Sequence, residues 1–218
     1  MRLVFIPGFG EDETIFSNII PYLAYESVQV NVWKMLESDP SKPANIKALT
    51  LKLVEKFCIQ TSDLVIGHSM GGWIGWHIKE IAGCKLVQVS SWTDPKKVVL
   101  PFQNRALLYL LTRNGLYINR FTKSFLLNKF YRDKPSKGIM EATLNNLIQK
   151  DKKLVLSQLQ LILEPTTLCS VEPDLRIHTQ RDPIIRRPDQ PFYLVPGDHF
   201  AIYTYPKEVA KGILSLLP

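Results

Sequence analysis

The 218-residue sequence predicts an α/β fold: a mostly parallel sheet of about six strands, interrupted by a helical cap. Three observations predict it. Short apolar or alternating stretches of strand length take turns with stretches of helical periodicity, the pattern of a parallel sheet with helices on its faces. From about Pro101 to Glu164 the strand pattern stops and only helical blocks remain. Before that gap, an apolar run passes through Gly67-His68-Ser69-Met70-Gly71 into a helical stretch.

In chain order, Leu3–Ile6 is an apolar run closed by Pro7-Gly8 and reads as a buried strand. Glu11–Ala24 reads as a helix with Asp12 as its N-cap, because a short acceptor side chain satisfies first-turn amides. Val28–Trp33 alternates apolar and polar residues, so it reads as a strand. Ile46–Cys58 carries an apolar stripe at helical spacing. Asp63–Gly67 is a second buried strand, Gly71–Ile81 a helix, and Lys85–Ser90 a further strand. The helical blocks that follow are separated by Asn114-Gly115, Lys134-Pro135 and Lys150-Asp151, and residues 95–165 read as an inserted cap on a single domain, 1–218. Strands resume at Asp174–His178 and Pro191–Gly197, and Tyr205–Leu217 closes the chain as a helix.

Composition narrows the class. Apolar residues make up 45% and charged residues 22%, as in ordinary globular domains, and no apolar run reaches the ~20 residues of a membrane span. The N-terminal apolar stretch is too short for a signal-peptide core. Cys58, Cys84 and Cys169 form neither a metal-type pair nor a disulfide framework, so the expectation is a reduced, cytoplasmic protein. The net charge of +7 is concentrated: residues 95–153 hold 13 Lys/Arg against 3 Asp/Glu, while the remainder is slightly acidic. Such a surface suits an acidic partner or anionic lipid as well as plain solubility. No RNP-type aromatic motif or zinc spacing accompanies it, so nucleic acid is not expected.

The chemistry centres on Ser69. Glycines two positions to either side let a strand and a helix approach without Cβ clashes, and the serine occupies the sharp turn between them. A serine hydroxyl needs a base. Of four histidines, His68 adjoins Ser69 and should point elsewhere, His77 lies about two turns along the helix, and His178 ends a strand, where a packed, hydrogen-bonded residue is expected. His199 remains, in a loop beyond the last strand, where an α/β sheet gathers its site. For the orienting carboxylate, Asp182 follows the strand before that loop and is favoured. Asp94 is its rival, and Asp189 and Asp198 are less suitably placed.

The resulting order, Ser69, Asp182, His199, resembles that of the α/β-hydrolase fold. "IHTQRD" is similar to that family's His-Gly-x-x-Asp stretch, "PGDHF" to its Gly-x-x-His-like loop, and "IPGFG" to its His-Gly-x-Gly oxyanion region. Thr179 replaces the glycine of the first, Pro7 replaces the histidine of the last, and the family's first two strands are missing. The resemblance implies that the backbone amides of Phe9 and Met70 form an oxyanion hole, and that the reaction is acyl transfer without cofactor or metal. The small size with an inserted helical cap resembles carboxylesterases of the pimeloyl-carrier-protein methyl esterase type. That implies a small-molecule or acyl-carrier-linked ester as substrate. Thioesterases are the close alternative, and a non-catalytic ligand-binding role is the more distant one.

Overall fold

The computed structural model describes residues 1–37, 44–163 and 169–217. Leu3–Ile6 (β1), Ser27–Gln29 (β2), Leu64–His68 (β3), Lys85–Val89 (β4), Leu175–Thr179 (β5) and Tyr193–Val195 (β6) form one sheet. Its order is β2-β1-β3-β4-β5-β6, and every pairing is parallel. β1 and β3 are buried along their whole lengths, which is why they read as continuous apolar runs rather than as an alternation. Two apolar layers cover the sheet. Val4, Ile6 and Val65 face Leu53, Trp73 and Ile74 from Ile46–Phe57 (α2) and Met70–Ala82 (α3). Phe5, Ile66 and Val87 face Phe16, Val209 and Ile213 on the other side.

Three expectations change. Glu11–Ala24 is not one helix but two short 3-10 turns, Glu13–Phe16 and Ile20–Tyr22. Pro21 has no N–H for a continuing helix and crowds the residue before it. Asp12 still caps the first turn through the Thr14 amide. Val28–Trp33 keeps strand pairing only to Gln29, and Val32–Glu37 becomes a helix (α1). Asn31 ends the strand because its side chain accepts from the Lys34 amide at 2.9 Å, as a helix cap does. The final helix, expected over Tyr205–Leu217, runs over Pro206–Leu214, and a short helix at Ala201–Thr204 precedes it.

Between β4 and β5 lie Arg105–Arg113 (α4), Arg120–Phe130 (α5), Lys137–Gln149 (α6) and Lys152–Leu163 (α7), with no strand among the described residues from 101 to 163. Asn104 caps α4, and Asn119 forms a capping box with Thr122 on α5. α7 is tied to the body by the Trp73 indole, which donates to the Leu161 carbonyl at 2.9 Å. The expected cap runs to residue 165, and residues 164 and 165 lie outside the described residues.

Candidate active site

The register that pairs Ile6 with Gly67 and His68 with Val89 brings the carboxyl ends of β1, β3 and β4 together. Ser69 stands at that edge, between β3 and α3, with φ 51° and ψ −121°, a left-handed conformation costly for a residue with a side chain. The turn is held from several directions. The Ser69 amide donates to Val89, and its carbonyl accepts from the Ser91 hydroxyl at 2.7 Å and from the Gly72 amide at 3.0 Å. The flanking glycines are steric requirements. A Cβ on Gly67 would stand 2.3 Å from the Gly71 carbonyl oxygen, and one on Gly71 would stand 1.9 Å from that of Ile6.

Asp182 and His199 meet. His199 Nδ1 donates to Asp182 Oδ2 at 2.8 Å, while Asp182 Oδ1 accepts from the amides of Ile184 and Ile185 at 2.8 and 2.9 Å. With Nδ1–H so engaged, the hydrogen bonding assigns the unprotonated position of the neutral ring to Nε2. Burial opposes the Asp182 charge. His199 and the two amides outweigh it and hold the carboxyl below the ordinary aspartate value.

The other candidates take other roles, although His178 Nε2 comes within 3.9 Å of Asp182 Oδ2. Asp94 is exposed and caps the turn at Pro95–Lys97 through the Lys96 amide. Asp189 pairs with Lys97 on the surface, and Asp198 accepts from the Ser136 hydroxyl at 2.6 Å. His77 faces Cys169 Sγ at 3.3 Å, and burial pushes its pKa down to about 4. His178 is buried against the Thr179 carbonyl, and burial lowers its pKa as well.

His68 turns inward rather than away from the site. Its Nε2 donates to the His199 carbonyl at 2.8 Å, and its Nδ1 faces Glu11 Oε2 at 2.9 Å. The same Glu11 oxygen accepts from the Gly8 amide at 2.6 Å, and the Gly10 amide donates to Gln158 Oε1 at 2.9 Å. Phe9 thus sits between two amides fixed by buried side chains. Met70 begins α3, where the amide of the first helical residue has no intrahelical acceptor. Sequence reasoning missed both Glu11 and Gln158, since neither stands in a motif.

Glu11, His68 and His199 place donor atoms within 4.8 Å of one another, the one such cluster among the described residues. Its Glu11–His68 pair is already a hydrogen bond, and the Gly8 amide shares the same carboxylate oxygen. The set is thereby committed to hydrogen bonding.

Ser69 and His199 both line a cavity of about 460 Å³. Its walls are largely apolar, with Phe125, Leu126, Met140, Leu144 and Leu147 contributed by α5 and α6. Glu11 also lines it, and no Lys or Arg does so among the described residues.

No family model matches the chain, and no curated protein sequence does. Solved structures match over nearly the whole chain. An enol-lactonase from Burkholderia xenovorans LB400 superposes with TM-score 0.74 at 13% identity, covering 99% of this chain and 90% of that one. An esterase from Thermogutta terrifontis gives 0.66 at 14%, covering 100% and 89%. A peroxisomal α/β-hydrolase from Saccharomyces cerevisiae gives 0.62 at 17%, covering 99% and 76%. At these identities the likeness is one of fold, and that fold is the α/β-hydrolase fold.

Proposed function

We propose that this chain, built on the α/β-hydrolase fold, is a serine hydrolase acting on carboxylic esters. The carrying observation is the 2.8 Å contact between Asp182 and His199 at the cavity that Ser69 also lines. In this reading Ser69 Oγ attacks the ester carbonyl carbon as His199 Nε2 takes its proton, and Asp182 holds the ring and stabilises the imidazolium. The carbonyl oxygen becomes an oxyanion facing the Phe9 and Met70 amides. Collapse of the tetrahedral species expels the alcohol, which receives the proton from His199. Water, deprotonated by the same ring, then releases the acid and restores Ser69.

The cavity supports an ester with an uncharged, apolar acyl or alcohol group. Its walls are mostly hydrocarbon, and a carboxylate inside would meet Glu11 with no lining Lys or Arg among the described residues. A fluorophosphonate probe tests the mechanism. Mass-spectrometric mapping is expected to find one adduct, on Ser69, and turnover of a short p-nitrophenyl ester is expected to vanish in Ser69→Ala. An adduct elsewhere, or an unimpaired Ser69→Ala, overturns the reading.

A further inference from the structure

α5 presents an unusual surface. Phe121 and Phe125 are one helical turn apart on it, and Phe121 is 87% exposed, an orientation that burial cannot explain. Phe125 and Phe130 are also exposed, their rings 6.5 Å apart, and Lys129 Nζ lies 5.1 and 5.4 Å above them. Leu116, just ahead of α5, is exposed as well.

Two further facts give this apolar surface a direction. Phe125, Phe130 and Val99 are exposed and yet line the Ser69 cavity, so the patch continues into the cavity mouth. Arg120, next to Phe121 in sequence, is exposed, as are Arg113 and Arg132 on the segments before and after α5, all within the stretch of residues 95–153 that carries 13 Lys/Arg and 3 Asp/Glu.

We infer that α5 and its flanks dock the protein on an anionic lipid interface, with the cavity mouth opening onto the acyl layer. Exposed aromatic rings enter the boundary between headgroups and chains while the cations around them meet anionic headgroups. Continuity with the cavity then gives an apolar ester a route to Ser69 that avoids water. That delivery role rests on the hydrolase reading above; the docking itself does not. A nucleic acid would answer the charge but has no apolar chain to send into the cavity. An acidic protein would answer the charge and leaves the protruding Phe121 without a defined counterpart.

The test uses the 218-residue chain carrying Ser69→Ala, so that hydrolysis cannot alter the membrane. Co-sedimentation is measured with vesicles of phosphatidylcholine alone and of phosphatidylcholine mixed with phosphatidylglycerol, across a salt series. Binding is expected on the mixed vesicles and is expected to weaken as salt rises. Phe121→Ser should reduce affinity at least about tenfold, and Arg120→Gln about fivefold. In the Ser69-containing protein, neither change should alter kcat/KM on a water-soluble ester. The absence of binding to mixed vesicles overturns the inference, as does binding indifferent to Phe121→Ser. Saturable binding of an acidic acyl carrier protein without vesicle binding also overturns it, in favour of a protein partner. The two readings fail separately, because vesicle binding does not depend on Ser69 and fluorophosphonate labelling does not depend on vesicles.

Discussion

Glu11 Oε2 stands 2.9 Å from His68 Nδ1 and 2.6 Å from the Gly8 amide, while the other nitrogen of that imidazole reaches the carbonyl of His199. One buried pair therefore joins the loop carrying Phe9 to the loop carrying His199. Both ring nitrogens of His68 face acceptors, an arrangement that suits the imidazolium. Burial disfavours that charge, yet Glu11 and the His199 carbonyl more than offset it, and the pKa is raised above 6.5.

The first prediction concerns this pair. Removing one partner leaves the other buried without its complement, so Glu11→Ala should destabilise the fold by about 3–5 kcal/mol in urea titration. Glu11→Gln keeps an acceptor and should be milder. The sign of the pH effect follows from the raised pKa. The stabilisation is present in full below the unfolded histidine value of about 6.5, and it declines as pH rises through the higher folded value. Stability measured on the alkaline side of pH ~6.5 should fall in the parent protein, and Glu11→Gln should flatten that fall.

A second prediction separates the two acids that sequence left in contention. Asp182→Asn should lower kcat on the order of 10⁴-fold, through the wrong tautomer and a less stabilised imidazolium. Asp94→Asn should leave kcat near the parent value, because Asp94 caps a surface turn. Asp182 also gives the acid limb its sign. Its folded pKa lies below the ordinary value, so its stabilisation is present above the unfolded value and is lost as pH falls through the folded one. Ester kinetics of both variants and acid denaturation of Asp182→Asn check these outcomes.

The central strands were legible because burial on both faces writes itself as continuous apolar runs, as in Leu3–Ile6 and Leu64–Ile66. Ser69 was legible because its turn demands small neighbours at fixed spacing. Asp182 and His199 were legible from where they follow strands, since a parallel sheet collects those ends at one edge. What could not be read depends on tertiary contact. Glu11 looks like any acidic residue ahead of a helix until His68 is seen beside it, and Gln158 belongs to the site only because α7 packs near Gly10. The misread segments share one cause. Hydrophobic pattern overrode local punctuation at Pro21 and Asn31, where a missing N–H or a capping side chain decides the backbone.

Strain at Ser69 supplies a third prediction. At φ 51° and ψ −121° a Cβ is costly, on the order of 1–3 kcal/mol, and glycine relieves it. Glycine also makes the unfolded chain more flexible, which returns roughly 0.5–1 kcal/mol. Ser69→Gly should therefore be more stable than Ser69→Ala by about 1 kcal/mol, although both lack the hydroxyl. Thermal unfolding of the two variants decides it, and equal midpoints would mean that the turn carries little strain.

The final prediction addresses what the cavity selects. Its volume of about 460 Å³ and its largely hydrocarbon walls favour longer apolar chains up to the point where the space is filled. Each methylene moved from water into such walls contributes about 0.8 kcal/mol, or roughly fourfold in kcat/KM. A series of p-nitrophenyl esters of increasing chain length should therefore rise by that factor per carbon and then turn over. A terminal carboxylate at matched length should reverse the gain, because it would be buried near Glu11 without a cation among the described lining residues. Leu147→Phe tests the assignment of the wall. Leu147 lines the cavity and also fills the space beside Gly10, where an added Cβ would lie 2.6 Å from its Cγ. The larger ring should move the turnover point to shorter esters while leaving the shortest ester nearly unaffected. A chain-length profile unchanged by Leu147→Phe would place the reacting chain elsewhere, outside the α6 wall.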